Sequence, residues 1–168
     1  MEERFPEISA ICQAARAVIR HRLGWQVDSL SLDLARQGPD WTECDRDDSS
    51  LRSPPDLQRK RQAAMFLGAG DVAAHMHLAR QLGRQERAGV STLEEAVCLS
   101  IATFPTDHVR LEQFLDNLLE DTRAELEAQW RHVEALAAAL LKRRTLSAEE
   151  ITHILEDDDV EPRPQSGK

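Results

Sequence analysis

Apolar residues recur at helical steps through most of the chain. Between Glu7 and Leu23, the residues Ile8, Ile11, Cys12, Ala15, Val18, Ile19 and Leu23 fall at intervals of one, three or four, which gathers them on the buried face of one helix. Pro6 stands near the predicted start and Gly24 just past the end, where a fixed φ and a left-handed stop are favoured. Residues 1–6 read as a short frayed lead. After Gly24 a strand is predicted over Gln26–Asp33, with Val27, Leu30 and Leu32 as its apolar positions and Leu34 just beyond.

The pattern lapses over 35–55, a polar, acidic stretch rich in turn formers that reads as a long loop. Helical spacing resumes over Asp56–Gln81, where Asp56 is an N-cap candidate and Ala63, Ala64, Leu67, Ala74 and Leu78 suggest a close-packing face of small residues. A polar connector over Leu82–Ser91 leads to a predicted helix, Thr92–Thr103, with Glu94 and Glu95 in its first turn. The longest helical region is Asp107–Lys142, with a bend expected near Asp121–Arg123. Thr145–Ser147 reads as a turn. Ser147 and Glu150 form a capping box for a last helix, Ala148–Leu155, and an acidic tail over 156–168 has the composition of a disordered segment.

A chain of 168 residues with 41% apolar content supports one domain with a core. A formal net charge of -9 argues against nucleic acid as a partner. No run of about twenty apolar residues is present to span a membrane. The start, MEERFPEIS, is too polar for a secretory signal. Cys12, Cys44 and Cys98 lack metal-site spacing and read as free thiols of a reducing cytoplasm. Asp45, Asp47 and Asp48 fall short of a calcium loop, because its glycine and terminal glutamate are missing. A Walker-type G-x-x-x-x-G-K is absent, so no ATPase motor is expected.

Three segments, in order, resemble the FtsH-like zinc metallopeptidase family. That family's active-site helix reads H-E-A-G-H-A-V before a leucine-glycine stop and a strand. Cys12-Gln13-Ala14-Ala15-Arg16-Ala17-Val18 stands in that frame, with Leu23-Gly24 after it. The run Gly68-Ala69-Gly70-Asp71-Val72-Ala73-Ala74-His75 is similar to the family's glycine-containing helix, with His75 where the family has Glu. Trp130–Ile151 is the most specific match, similar to the family's closing W-x-x-I-x-x-L-A-x-x-L-L-E-x-x-T-L-x-x-x-E-I. The resemblance implies a mainly α fold: an FtsH-peptidase-like helical domain over 7–155, with a small β element near 26–34 packed beside the helices 7–23 and 92–103. It also implies that Trp130 and Leu136 are buried.

Every residue the family uses for chemistry differs here. Two histidines at i and i+4 can reach one zinc ion while the glutamate between them activates water. Cys12, Gln13 and Arg16 stand at those positions, and Thr92 stands nearest to the family's third ligand, an aspartate. Arg16 has no lone pair for a metal and repels cations. Gln13 cannot act as a base, and Cys12 alone is not a metal site. His75 and His77, two apart on one helix, point about 200° apart and cannot share an ion. The resulting expectation is a catalytically inactive protein, without cofactor or metal, that acts by binding a protein or peptide. Arg16 is expected to find Glu94 or Glu95 as its acceptor. Two alternatives stand beside this reading. Cys12 could be a nucleophile activated by Arg16, with His21, His75 or His108 as base. The chain could instead be a plain helical interaction module whose likeness to the family is fortuitous, lacking the strand after the first helix.

Overall fold

The computed structural model describes residues 5–32, 57–82 and 106–157. Among these residues there are five helices and one two-stranded sheet: α1 (Phe5–Arg22), β1 (Ser29–Ser31), α2 (Leu57–Leu82), α3 (His108–Ala128), α4 (Trp130–Arg143), β2 (Thr145–Ser147) and α5 (Ala148–Glu156). The predicted mainly helical class with one small β element is observed. The predicted loop 35–55, the helix 92–103 and the tail beyond Asp157 lie outside the described residues.

The centre of the fold is α1. Cys12, Arg16, Ile19 and Leu23 recur at four, three and four residues and face α2 or the α2–α3 side. Ala10, Ala14 and Ala17, all buried, lie roughly half a turn round, and α4 is the other helix against which α1 packs extensively. The helix begins at Phe5, so part of the expected lead is helical. It ends in a Schellman turn: the Gly24 N–H donates to the His21 carbonyl at 2.9 Å and the Trp25 N–H to the Arg20 carbonyl at 3.0 Å. Gly24 takes φ +75° there, the left-handed conformation that glycine adopts without a Cβ penalty.

The strand is shorter than the predicted Gln26–Asp33, and its partner falls where the sequence predicts a turn. β1 is only Ser29–Ser31 and pairs antiparallel with β2, with Ser29 opposite Ser147, Leu30 opposite Leu146 and Ser31 opposite Thr145. Leu30 and Leu146 both enter the core, and the ladder continues as the Leu32 N–H donates to the Arg144 carbonyl at 2.9 Å. A three-residue strand has too few positions to show alternation, which is why Thr145-Leu146-Ser147 looked like a turn. Arg144 turns the chain out of α4 in the left-handed region, φ 68°. The capping box is present as predicted: Ser147 accepts from the Glu150 N–H, while Glu150 accepts from the Ser147 N–H at 2.9 Å.

The long helical region breaks at Gln129, not near Asp121–Arg123. Gln129 closes α3 and opens α4 with φ -108° and ψ 14°. Thr122, at the expected bend, is buried inside an unbroken α3, its hydroxyl donating to the Leu118 carbonyl at 2.7 Å. A hydroxyl bonded to its own helix's carbonyl needs no break to be satisfied. The face of α2 also differs in part. Ala63, Ala64 and Leu67 are buried as predicted, but Ala74 and Leu78 are half-buried, and Ala69, Val72, Ala73 and Met76 carry the contact instead.

Trp130 and Leu136 are 5% and 0% exposed, in agreement with the expectation from sequence. The Arg80 guanidinium stacks on the Trp130 ring, 4.2 Å from its centroid, tying the end of α2 to the start of α4. Truncating Trp130 removes a buried ring together with its contact to the Arg80 cation. Trp130→Ala is expected to cost about 3–5 kcal/mol, measured by urea unfolding followed by far-ultraviolet circular dichroism. A loss under about 1 kcal/mol would place the ring at the surface.

Candidate functional site

The positions singled out by the sequence come together where α1 crosses α2. The Cys12 thiol donates to the Gly70 carbonyl at 3.3 Å. One turn along α1, Arg16 lies over the same glycine: a Cβ at Gly70 would sit 3.0 Å from Arg16 Nε and 3.4 Å from Cys12 Cβ. Gly70 therefore makes room for the arginine stem. Arg16 Nε is shielded from solvent and, among the described residues, has no hydrogen-bond partner, whereas burial ordinarily demands an acceptor for such a donor.

Charge is concentrated at this crossing. Burial is the largest influence on the Cys12 thiol and pushes its pKa up, with the Asp71 charge adding to the rise and Arg16 opposing it. The Asp71 carboxyl is also raised, again chiefly by burial, with Arg16 and His75 pulling it back. His75 Nδ1 lies 2.9 Å from the Asp71 carbonyl of its own helix, so in the neutral ring this nitrogen carries the proton and donates. His77 turns elsewhere: its Nε2 lies 2.9 Å from Gln81 Nε2 and 3.4 Å from Glu7 Oε1 on α1. The two histidines diverge, as their spacing predicted.

Of the predicted site residues, the structure brings Cys12 and Arg16 together and places half-buried Gln13 between them on α1. Thr92, with Glu94 and Glu95 as the expected acceptors for Arg16, lies outside the described residues. Among the described residues, the carboxylate whose charge reaches Arg16 is Asp71. No group of three or more His, Cys, Asp or Glu side chains converges to hold a metal ion among the described residues. Two of the three bases open to a Cys12 nucleophile, His21 and His108, are poorly placed, while His75 sits one turn from Asp71 with its Nδ1 held by the Asp71 carbonyl. His21 is nine residues along the same helix, about 14 Å away, His108 is exposed at the start of α3, and the thiol's own hydrogen bond goes to a carbonyl. Sequence reading missed Gly70 and Asp71 as the partners of Cys12 and Arg16. The signal was the Gly68-Ala69-Gly70-Asp71 run, which marks a close helix approach.

No protein-family model matches the chain, and no characterised protein matches it either.

The Gly70–Arg16 contact has a measurable signature. Gly70→Ala gains about 1 kcal/mol of helix propensity but crowds Arg16, which costs about 1–3 kcal/mol. A net loss of about 1 kcal/mol is expected in the wild-type background. With Arg16→Ala already in place, the same change should stabilise by up to about 1 kcal/mol. The resulting coupling of about 2 kcal/mol is read from a double-mutant cycle, and additive effects would show that the two residues do not touch.

Asp71 gives a pH dependence of known sign. Its raised carboxyl pKa means that folding favours the protonated form. That contribution is complete below the unfolded value of about 3.9 and is lost as pH rises through the raised folded value. Asp71→Asn mimics the neutral carboxyl. The variant should match the wild type near pH 3 and be the more stable of the two near pH 7, by urea titration at each pH. Equal stability at both would show that the carboxylate is not penalised in the fold.

Proposed function

We propose that this chain is a catalytically inactive protein with an FtsH-peptidase-like helical scaffold, acting by binding a protein or peptide. The observation that supports the reading is the Cys12–Gly70–Arg16 contact. At the helix positions where the resemblance would put two zinc ligands, one side chain hydrogen-bonds a neighbouring helix's carbonyl and the other lays a cation across the same glycine. Such an arrangement holds two helices together and disfavours a metal ion. The raised thiol pKa weighs against the nucleophile alternative, because the thiolate is the reactive form.

The test is zinc stoichiometry and casein hydrolysis on the purified chain. The expected result is no tightly held zinc and no hydrolysis. One stoichiometric, chelator-resistant zinc per chain would overturn the reading. The variant Cys12→His, Gln13→Glu, Arg16→His supplies two ligands and a base but not the third ligand. It should remain inactive with added zinc and be less stable than the wild type, since it removes the α1–α2 contact. Casein cleavage by this variant would reveal a third ligand and an intact metallopeptidase cleft.

A further inference from the structure

Two basic runs meet at one end of the α1–α2 pair. α1 finishes with Arg20-His21-Arg22, and α2 opens with Arg59-Lys60-Arg61 in its first turns. Ile19 of α1, Leu23 just after it, Met65 of α2 and Glu125 of α3 line one shallow cavity together with Arg22, and Trp25 meets Phe66 edge to face at 5.9 Å. Arg22 Nε donates to Glu125 at 2.7 Å, and Arg61 pairs with Asp121. Those carboxylates are one turn apart on α3, so the two arginines lie side by side along it. Both pairs are about half exposed, so each exchanges readily with other anions. Arg20 and Arg59 hold contacts of their own.

Local helix electrostatics account for the cations of α1 but not for those of α2. At the C-terminus of α1 they complement the helix dipole, but the first turn of α2 contains no acidic residue and carries its basic run where the dipole disfavours positive charge. This occurs in a chain of net charge -9. The exposed Arg61–Asp121 pair offsets that cost only in part, and broken local rules are expected at functional surfaces.

Resting on the binding reading above, we infer that this basic end docks a short acidic segment of a partner protein. Carboxylates of the partner engage the Arg22 and Arg61 forks, exchanging with Glu125 and Asp121, while Lys60 contributes charge beside them. Shortness follows from what flanks the patch. Glu112, Asp116 and Glu120 form an exposed row on α3, running up to Asp121. An extended polyanion crossing the patch would meet that row, whereas a segment of a few residues need not.

The experiment is fluorescence anisotropy of the full chain with a fluorescein-labelled oligoglutamate peptide, and separately with a labelled single-stranded oligonucleotide, at about 20 mM and about 300 mM salt. The peptide should bind at low salt and weaken about tenfold or more at high salt. Lys60→Gln with Arg61→Gln should weaken it about tenfold at low salt. Arg110→Glu, which changes the net charge by the same amount at the far start of α3, should leave it unchanged. If the double variant misfolds by circular dichroism, Lys60→Glu alone replaces it, with weaker peptide binding again expected. No binding at low salt, or equal weakening by Arg110→Glu, overturns the inference. Oligonucleotide binding as tight as that of the peptide overturns it in favour of a nucleic-acid surface. A chain that holds stoichiometric zinc yet captures the peptide at this patch would fail the inactive-peptidase reading and keep this one.

Discussion

The close approach of α1 to α2 is the constraint on which the described fold depends. Gly70 has no side chain, and that vacancy is filled by Arg16 and Cys12 from the facing helix. Small residues allow two backbones to come near enough for a thiol to reach a main-chain carbonyl, which larger side chains would prevent. The same helix must also offer its opposite side to α4, so α1 is buried along much of its circumference. A helix enclosed in this way has little solvent-facing surface on which to place charge. Away from the charged ends of α1, Arg16 is the cation placed inside, and among the described residues its buried Nε has no acceptor, an energetic debit at the centre of the fold.

Much of this was legible from spacing alone. The first helix, the capping box at Ser147 and the burial of Trp130 and Leu136 each rest on a local signal, whether periodicity, a cap pair, or a large apolar residue repeated at helical steps. What escaped was non-local. β2 is three residues long and exists because β1 lies beside it, so nothing within Thr145-Leu146-Ser147 announces a strand. The break at Gln129 has no proline or glycine to mark it, whereas the acidic and polar residues at 121–123 suggested a bend that Thr122's hydrogen bond to Leu118 makes unnecessary. At the candidate site, periodicity put Cys12 and Arg16 near one helix face. It could not name Gly70 and Asp71 as the residues opposite, because that pairing is set by the relative position of two helices.

The polar groups at the α1–α2 crossing illustrate how one environment treats different chemistries. Burial raises both the thiol of Cys12 and the carboxyl of Asp71, and the Arg16 guanidinium opposes both shifts. Neither acid is driven toward its charged, reactive form, as an activated nucleophile or a metal ligand would be. The crossing is instead a set of mutually moderated charges, which suits a joint between helices better than a centre for bond breaking.

The β1–β2 ladder has a consequence for how the chain comes to fold. Ser31 and Thr145, whose hydroxyl oxygens lie 3.3 Å apart across it, are separated by 114 residues of sequence. During synthesis α4 and β2, which cover the other side of α1 and anchor the strand after it, emerge only well after α1. Until then a helix whose apolar residues wrap most of its surface has no complete shelter. The nascent chain thus exposes apolar residues of α1 in the interval before α4 and β2 are made, a period in which chaperone capture competes with misassembly.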